Sequence, residues 1–273
     1  CTAWPPSTEP VKATKSTSRL LISASVSACE RCSTWNTPLG RPAAAKPSGK
    51  RSATSVTVSI SKASLAAGNA SADVRVRGGS LTITDSLVSG TSSTVEVTGA
   101  LTLTRSGIEA TNGDLTVRAY SGDISVNGST IRAIGGGAFV DVAASGSVAI
   151  EGDSDLANTS GSILFVTAHG GDVRVDALGG STSSNVNGSG PSCSTGIVAA
   201  QDILIHADAD VAGELGLSLT AQRDIIVRGD PLLRSGTHPM TIRASGVLSV
   251  GPHAAGPLPT LVFGDLYATA DGT

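Results

Sequence analysis

Short triplets of apolar, polar and apolar residues recur along the chain from Val56 onward. The pattern is clearest in residues 101–156, where Leu115–Val117 is followed by a Gly- or Ser-bearing corner, a second triplet at Ile124–Val126 and a lone aliphatic residue at Ile131. Alternation of apolar and polar residues over a few positions indicates a strand with one buried face. Gly, Ser, Asn and Asp bound the triplets and favour turns, so the pattern predicts many short strands.

The second triplet of each repeat gives the period. Its last residue recurs at intervals of 23, 20, 23, 24, 25, 30, 22 and 23 residues. Short strands at such a period are typical of the coils of a parallel β-helix. The second triplets are Val58–Ile60, Leu81–Ile83, Leu101–Leu103, Ile124–Val126, Val148–Ile150, Val173–Val175, Ile203–Ile205, Ile225–Val227 and Leu248–Val250. The first triplets are Val74–Val76, Val95–Val97, Leu115–Val117, Val140–Val142, Leu164–Val166, Leu217–Leu219, Met240–Ile242 and Leu261–Phe263.

We therefore predict an all-β fold for residues 55–273, a right-handed parallel β-helix solenoid of about nine coils. A helical solenoid is excluded because no segment after Ser55 sustains apolar residues at helical spacing. A leucine-rich repeat needs a fixed Asn or Cys position, which is missing. A left-handed β-helix keeps a strict hexapeptide rhythm, whereas the intervals here vary, and this favours the right-handed type.

The register follows from pairing each strand with its equivalent in the next coil, about 4.8 Å away. We expect Leu103 to face the interior and Thr102 to face outward, so that Leu103→Asp disrupts folding far more than Thr102→Asp. We also expect Arg75 to lie opposite Glu96 as an ion pair. The predicted inward ladder is Ile83, Leu103, Val126, Ile150 and Val175. The predicted polar ladder is Thr82, Thr102 and Ser125.

One interruption of the repeat is long. Residues 179–196 are rich in Ser and Gly and contain no aromatic or charged residue. This composition predicts a flexible loop that leaves the solenoid at one corner, acting either as a spacer or as a binding loop.

Residues 1–54 differ from the rest of the chain. They hold six of the twelve prolines and both tryptophans, and they carry eight basic and two acidic residues (+6) against eleven basic and twenty acidic residues (−9) in the remainder. This Pro-, Ser- and Lys-rich segment is predicted to be a disordered leader. Two alternatives remain open: a signal peptide that ends in the lipobox-like Val26–Cys29, and a linker or a segment translated outside the true frame.

The cysteines and the chain ends add three expectations. Cys29 and Cys32 form a CxxC pair that would supply half of a zinc site or a redox pair, but the chain has no second CxxC to complete a four-ligand site. Four cysteines are too few and too scattered for a disulfide framework. The chain begins at Cys1 and stops within the repeat at Thr273, so we expect a fragment whose solenoid is truncated at its C-terminal end.

Composition excludes several classes of function. Only 3% of the residues are aromatic, so the interior must be built from thin aliphatic layers rather than bulky anchors. The net charge of −3 gives no basic footprint for nucleic acid. No apolar run approaches the roughly 18 residues that a membrane-spanning helix needs, so we predict neither a nucleic-acid partner nor a transmembrane segment.

Several repeat phrases resemble a known family. Ser121–Ala133 and Gly170–Ala177 combine Gly-Asp, an aliphatic triplet and a turn, and Ala200–Ala207 and Ala221–Gly229 repeat the same module. These phrases resemble the repeats of filamentous-haemagglutinin-like exoproteins, and the resemblance covers residues 56–265. The repeat length here is less regular than in that family, and its upstream secretion domain is not recognisable in residues 1–54.

The resemblance implies a bacterial protein that is secreted or displayed on the cell surface as a structural or adhesive fibre. Its expected partners are host or environmental glycans or other surface proteins. A non-adhesive scaffold, as in a surface layer or a spore coat, is an alternative within the same class.

The main alternative is a carbohydrate-active β-helix enzyme, either a polysaccharide lyase or a glycosidase. Such chemistry needs clustered carboxylates, often with calcium, and an Arg or Lys on the same outer face. The sequence disperses its acidic residues instead: Asp141 is two coils from Glu96, and only an accident of register would bring Asp141 close to Glu151. A cluster of Asp and Arg on one outer face of the folded chain would favour the enzyme.

We predict no catalytic, cofactor-binding or metal-binding residue. Asp208 and Asp210 lack the later Glu of a calcium-binding loop, and we interpret them, with Asp153, Asp155 and Asp172, as turn-forming. The histidines are interpreted as single polar residues, and the Asn-x-Ser/Thr sequences as chance matches. The histidines are His169, His206, His238 and His253, and the asparagines are Asn69, Asn127, Asn158 and Asn187.

Overall fold

A computed structural model describes residues 14–16, 19–25, 56–135, 138–176, 183–251, 259–262 and 265–271. Within these residues the chain forms 29 strands and no helix. The predicted disordered leader, the segment Val26–Cys29 and Cys32 fall on residues 1–54, most of which lie outside the described ones, so those expectations stay predictions. Two short strands are described there, β1 (Thr14–Ser16) and β2 (Arg19–Ser25).

The remaining strands form three long parallel sheets, named in the order in which the chain visits them. The first sheet contains β3 (Val56–Ser61), β6 (Gly79–Thr84), β9 (Leu101–Thr104), β12 (Ile124–Asn127), β15 (Val148–Glu151), β18 (Val173–Asp176), β21 (Ile203–His206), β24 (Ile225–Arg228) and β27 (Leu248–Gly251). The second sheet contains β4 (Ser64–Ala66), β7 (Leu87–Gly90), β10 (Gly107–Ala110), β13 (Thr130–Ala133), β16 (Asp155–Asn158), β19 (Asn185–Gly188), β22 (Asp210–Gly213), β25 (Leu232–Ser235) and β28 (Thr260–Val262). The third sheet contains β5 (Ser71–Arg77), β8 (Ser93–Val97), β11 (Leu115–Ala119), β14 (Phe139–Ala144), β17 (Ile163–Ala168), β20 (Ser194–Ala199), β23 (Gly216–Ala221), β26 (Met240–Ala244) and β29 (Leu266–Ala270).

Each coil takes one strand from each sheet, so that coil 1 is β3–β5 and coil 9 is β27–β29. Every strand of a coil pairs in parallel with its equivalent in the next coil, and β2 extends the third sheet by pairing in parallel with β5. The predicted all-β parallel solenoid of about nine coils is therefore confirmed. Its right-handed sense stays a prediction.

The interior consists of aliphatic ladders, as the alternation predicts. All five residues of the expected ladder are fully buried, among them Leu103, whereas Thr102 beside it is only partly buried. Each such aliphatic side chain contributes roughly 1.5–3 kcal/mol when it leaves water. The polar ladder is also confirmed, because Thr102 pairs with Thr82 on one side and Ser125 on the other.

The lone aliphatic of each repeat marks a complete strand. Ile131 and Leu156 lie at the centres of the second-sheet strands β13 and β16 and pair with each other. These strands present one large inward residue and then a small or polar one, such as Ala133 after Ile131. Leu261, which the pattern groups with the first triplets, belongs to this sheet and pairs with Leu233 of β25. The grouping of Leu261 with the first triplets was wrong. It arose because the residues around Leu261 have the same apolar and polar pattern as those triplets.

Residues 179–196 do not form one continuous loop. Residues 177–182 lie outside the described residues, but β19 and the first half of β20 fall within the predicted range and pair with both neighbouring coils. The Ser/Gly-rich composition is misleading here because a second-sheet strand needs only one aliphatic residue, Val186, to fill its inward position. The extra length lies mainly between β18 and β19, which are separated by eight residues (177–184) against three (152–154) between β15 and β16.

Side-chain ladders hold the corners between sheets. Between the first and second sheets, the amide of Ser106 donates to Oγ of Ser129 in the next coil at 3.0 Å, and the amide of Ser129 donates to Oγ of Ser154 at 3.3 Å. Between the third and first sheets, Oδ1 of Asp172 accepts the amide of Asp202 at 3.0 Å. These bonds satisfy backbone groups where the ladders of the sheets end. Asp172 lies at a corner, directly before β18, as predicted, whereas Asp155, also predicted to form a turn, is the first residue of β16.

Candidate functional site

The outer face of the third sheet carries a groove in coils 3 to 5. Its volume is about 660 Å³, which lies within the roughly 300–1,000 Å³ of small-molecule sites. Strands β11, β14 and β17 form its floor. The side chains that shape it belong to Arg118, Tyr120, Phe139, Asp141, Ala143, Ser145, Phe165, Thr167 and His169.

Ala143 lies at the centre of the floor. It pairs with Arg118 in the preceding coil and Thr167 in the following coil, and Asp141 and Ser145 are its neighbours along the strand on the same face. Residues two apart on a strand, and residues opposite each other on adjacent strands, project side by side. The depression exists because one alanine is surrounded by larger side chains.

Aromatic rings form much of the wall. Phe139 and Phe165 contact each other with their ring centroids 6.4 Å apart and their planes tilted by 49°. The ring of Phe165 extends toward the next coil, where it lies against Gly196, and a Cβ on Gly196 would overlap Cε1 of Phe165. Tyr120, at the other end of the groove, is 56% exposed.

Ion pairs fix the polar side of the groove. Nε and Nη2 of Arg118 donate to Oδ2 of Asp141 at 3.0 and 2.6 Å, and this pairing raises the pKa of the Arg118 guanidinium. The hydroxyl of Tyr120 donates to Oε1 of Glu96 at 2.7 Å, and this bond raises the pKa of the Tyr120 phenol. Glu96 is also 3.2 Å from Nε of Arg75, which confirms the pair expected from the sequence.

The acidic residues considered for catalysis separate between sheets. Glu96 and Asp141 share the outer face of the third sheet, one coil on either side of Arg118, whereas Glu151 lies on the first sheet and bonds with Arg174 at 3.4 Å. Asp141 and Glu151 therefore lie on different sheets of the solenoid and do not share an outer face. Asp210 begins β22, where burial raises its pKa, and Asp208 lies in the turn that precedes this strand.

The three histidines among the described residues lie in different parts of the solenoid. His169 lies at the groove, while Nδ1 of His206 is 3.6 Å from Oδ2 of Asp176 on the first sheet and His238 contacts Thr237. His253 lies outside the described residues. Among the described residues no group of three His, Cys, Asp or Glu side chains is placed to hold a metal ion.

Cys193 and Asn158, one of the four asparagines in Asn-x-Ser/Thr sequences, are both buried. Cys193 is a free, buried thiol whose pKa burial raises to about 11, and the other three cysteines lie outside the described residues. Asn158 is fully buried, and its amide donates to the carbonyls of Ala138 and Ile163 at 2.9 and 2.8 Å. Asn158 therefore cannot present its amide for modification in the folded chain.

Sequence reasoning missed the aromatic residues of the groove. Within the described residues the aromatic side chains are Tyr120, Phe139, Phe165 and Tyr267, and three of these four line one groove. A signal was present: Phe165 stands between the inward residues Leu164 and Val166, so alternation alone assigns its ring to the outer face. Outward aromatic side chains that adjoin one another form an exposed apolar patch, and such patches often mark interaction sites.

Among the described residues no helix is long and apolar enough to cross a membrane. Comparison of the chain with protein-family models, with curated proteins and with solved structures found no match. The resemblance to filamentous-haemagglutinin-like exoproteins thus rests on the repeat phrases alone, and a functional proposal for the chain depends on the solenoid and its groove.

Proposed function

We propose that this protein is a secreted or surface-displayed structural solenoid that adheres to a ligand through the groove around Ala143. One observation carries the proposal: Tyr120, Phe139 and Phe165 are directed outward around a single depression. A rigid stack of coils that displays such a depression combines the two parts an adhesive fibre needs, a scaffold and a contact site.

The aromatic wall lies outside the aliphatic interior that the coils share. The inward residues of the same strands are fully buried aliphatics such as Val142 and Val166, and they form the packed interior. The outward rings leave apolar surface in contact with water, which is unfavourable unless a ligand covers it. This surface supports binding as the function of the site.

A carbohydrate-active enzyme is the second candidate, and the pairing of Arg118 with Asp141 on one outer face favours it. The surroundings of both groups favour binding over turnover. Hydrolysis of a glycosidic bond uses two carboxyl groups about 5–9.5 Å apart, and Asp141 is the single carboxylate in the lining of the groove. Arg118 already compensates the negative charge of Asp141, because two of its N–H groups donate to Oδ2.

The test is an adhesion assay with a variant that fills the depression. Beads coated with the full chain are presented to surfaces that carry immobilised glycans and glycoproteins, and the same surfaces are assayed for released sugar. Ala143→Trp should abolish adhesion. Thr220→Trp, at the equivalent outward position three coils further along the third sheet, should leave adhesion unchanged.

Circular dichroism melts of both variants establish that they fold. Adhesion that is the same in Ala143→Trp and wild type would overturn the groove as the contact site. Release of new reducing ends or unsaturated sugars by wild type, lost in Asp141→Asn, would replace adhesion with the enzyme.

A further inference from the structure

Resting on the proposed function, we infer that the groove binds an uncharged carbohydrate, with a sugar ring against the aromatic wall and its hydroxyls on the Arg118–Asp141 pair. The shape of the groove is the first indication. Phe139 and Phe165 present neighbouring, tilted rings beside a floor made by Ala143. The C–H face of a pyranose ring is apolar and flat enough to pack on such rings.

The hydrogen-bonding groups of the groove are the second indication. Arg118 uses two of its five N–H donors on Asp141, and its guanidinium also interacts with the Tyr120 hydroxyl, so the donors that remain can serve a ligand. Asp141 accepts both bonds on Oδ2, so Oδ1 is left to accept a ligand hydroxyl. Ser145 and Thr167 add two hydroxyls at the opposite side of Ala143. Donors and acceptors are thus mixed, as the hydroxyls of a sugar require, because each hydroxyl both donates and accepts.

The charge of the groove is the third indication. The guanidinium of Arg118 is compensated by Asp141, and Glu96, which lies near the Tyr120 end of the groove, is paired with Arg75 of coil 1. Glu96 in addition accepts the hydroxyl of Tyr120. An acidic ligand would therefore bring its charge to Asp141 without an unpaired Arg or Lys in the lining to receive it. An uncharged sugar meets no such repulsion.

The experiment compares an acidic ligand with its neutral ester and with two neutral glucans. Isothermal titration calorimetry of the full chain uses a galacturonic acid hexamer, the same hexamer fully methyl-esterified, and two neutral glucans, cellohexaose and maltohexaose. We expect the methyl ester or a neutral glucan to bind at least tenfold more tightly than the acid, a difference of about 1.4 kcal/mol. That affinity should not change between about 0.01 and 1 M salt, over which screening lengths fall from about 30 to 3 Å.

The groove variants complete the test. Ala143→Trp should lose the neutral ligand and Thr220→Trp should retain it. Tighter binding of the acid hexamer, weakening as salt rises, would overturn the inference while leaving adhesion through the groove intact. Neutral binding that survives in Ala143→Trp, or no binding by any neutral ligand, would also overturn it, and the bead assay then decides separately whether the proposed function stands.

Discussion

In coils 3 to 5 the outer face of the third sheet carries Arg118, Asp141 and Phe165, whereas in coils 6 to 8 the described strands of that face carry no aromatic or carboxylate side chain and have residues such as Gly196, Thr220 and Arg243 at the equivalent positions. The inner faces of the two halves are alike. Their central inward residues are buried aliphatics throughout: Val117, Val142, Val166, Ile197, Leu219 and Ile242. The same inward packing is therefore present beneath aromatic side chains and without them. The aromatic groove is a local feature of coils 3 to 5 that this inward packing does not require, and this is the physical reason to propose a function for it.

The largest expected effect is a loss of stability, and it should be the same in coils 3 to 5 as in coils 6 to 8. Val142→Asp and Leu219→Asp each place a carboxylate at a fully buried position and should destabilise the fold by about 4 kcal/mol or more, or prevent folding. Thr167→Asp and Thr220→Asp, at neighbouring outward positions, should cost about 1 kcal/mol or less. Denaturant unfolding measures all four. A Val142→Asp protein as stable as Thr167→Asp would show that the inward register of the third sheet is wrong.

That inner face is the part of the molecule that the sequence predicts best. Apolar residues recur every second position along each strand and about every 23 residues from coil to coil. Both periods arise because the same inward positions must be buried in every coil. The second sheet was visible only as lone aliphatics such as Ile131, because its other inward position accepts Ala, Gly, Asn or Ser. A composition rule then mistook β19, with Val186 as its one anchor, for part of a loop.

The groove could not be predicted in the same way. Its floor depends on Ala143 being smaller than Arg118 in one neighbouring coil and Thr167 in the other, and that comparison requires the register between coils. The ion pair of Arg118 with Asp141 joins residues that are offset along their strands as well as one coil apart. Outer positions are under no common packing constraint, so they carry no period from which a site can be inferred.

The second prediction compares the stability lost when an arginine is removed from coil 3 with that lost when one is removed from coil 8. Arg118→Gln leaves Asp141, whose side chain is only 12% exposed, without its partner and should destabilise the fold by about 1–3 kcal/mol. Arg243→Gln removes an exposed arginine from the same outward row in coil 8 and should change stability by less than about 0.5 kcal/mol. Thermal melts of both proteins check this. Adding Asp141→Asn to Arg118→Gln should recover part of the loss, and equal effects of the two arginine substitutions would contradict the pairing.

The third prediction concerns the boundary between the halves, where Phe165 lies against Gly196. Gly196→Ala places a methyl group where the ring now lies, so the ring must rotate and the aromatic wall changes shape. Adhesion of coated beads should weaken by roughly tenfold, the size of effect that one displaced aromatic contact produces, while stability changes by about 1 kcal/mol or less. Ser218→Ala, in the same row one coil further along, is the matched control. Equal adhesion of the two variants would mean that Phe165 does not position the ligand.

The smallest expected effect tests whether the wall at Tyr120 is fixed in solution as it is in the structure. The hydrogen bond to Glu96 raises the pKa of the Tyr120 phenol, because ionisation would place a phenolate beside a carboxylate and break the bond. In a Tyr267→Phe background Tyr120 is the single tyrosine of the chain, so a titration followed by ultraviolet absorbance reports it alone, and Glu96→Gln should lower its pKa toward the ordinary value of about 10. The bond contributes fully to stability below the pKa of the unfolded tyrosine, and this contribution is lost as pH rises through the higher folded value. A titration curve that Glu96→Gln leaves unmoved would mean that Tyr120 rotates freely above the sheet, and the groove would then rely on Phe139 and Phe165 alone.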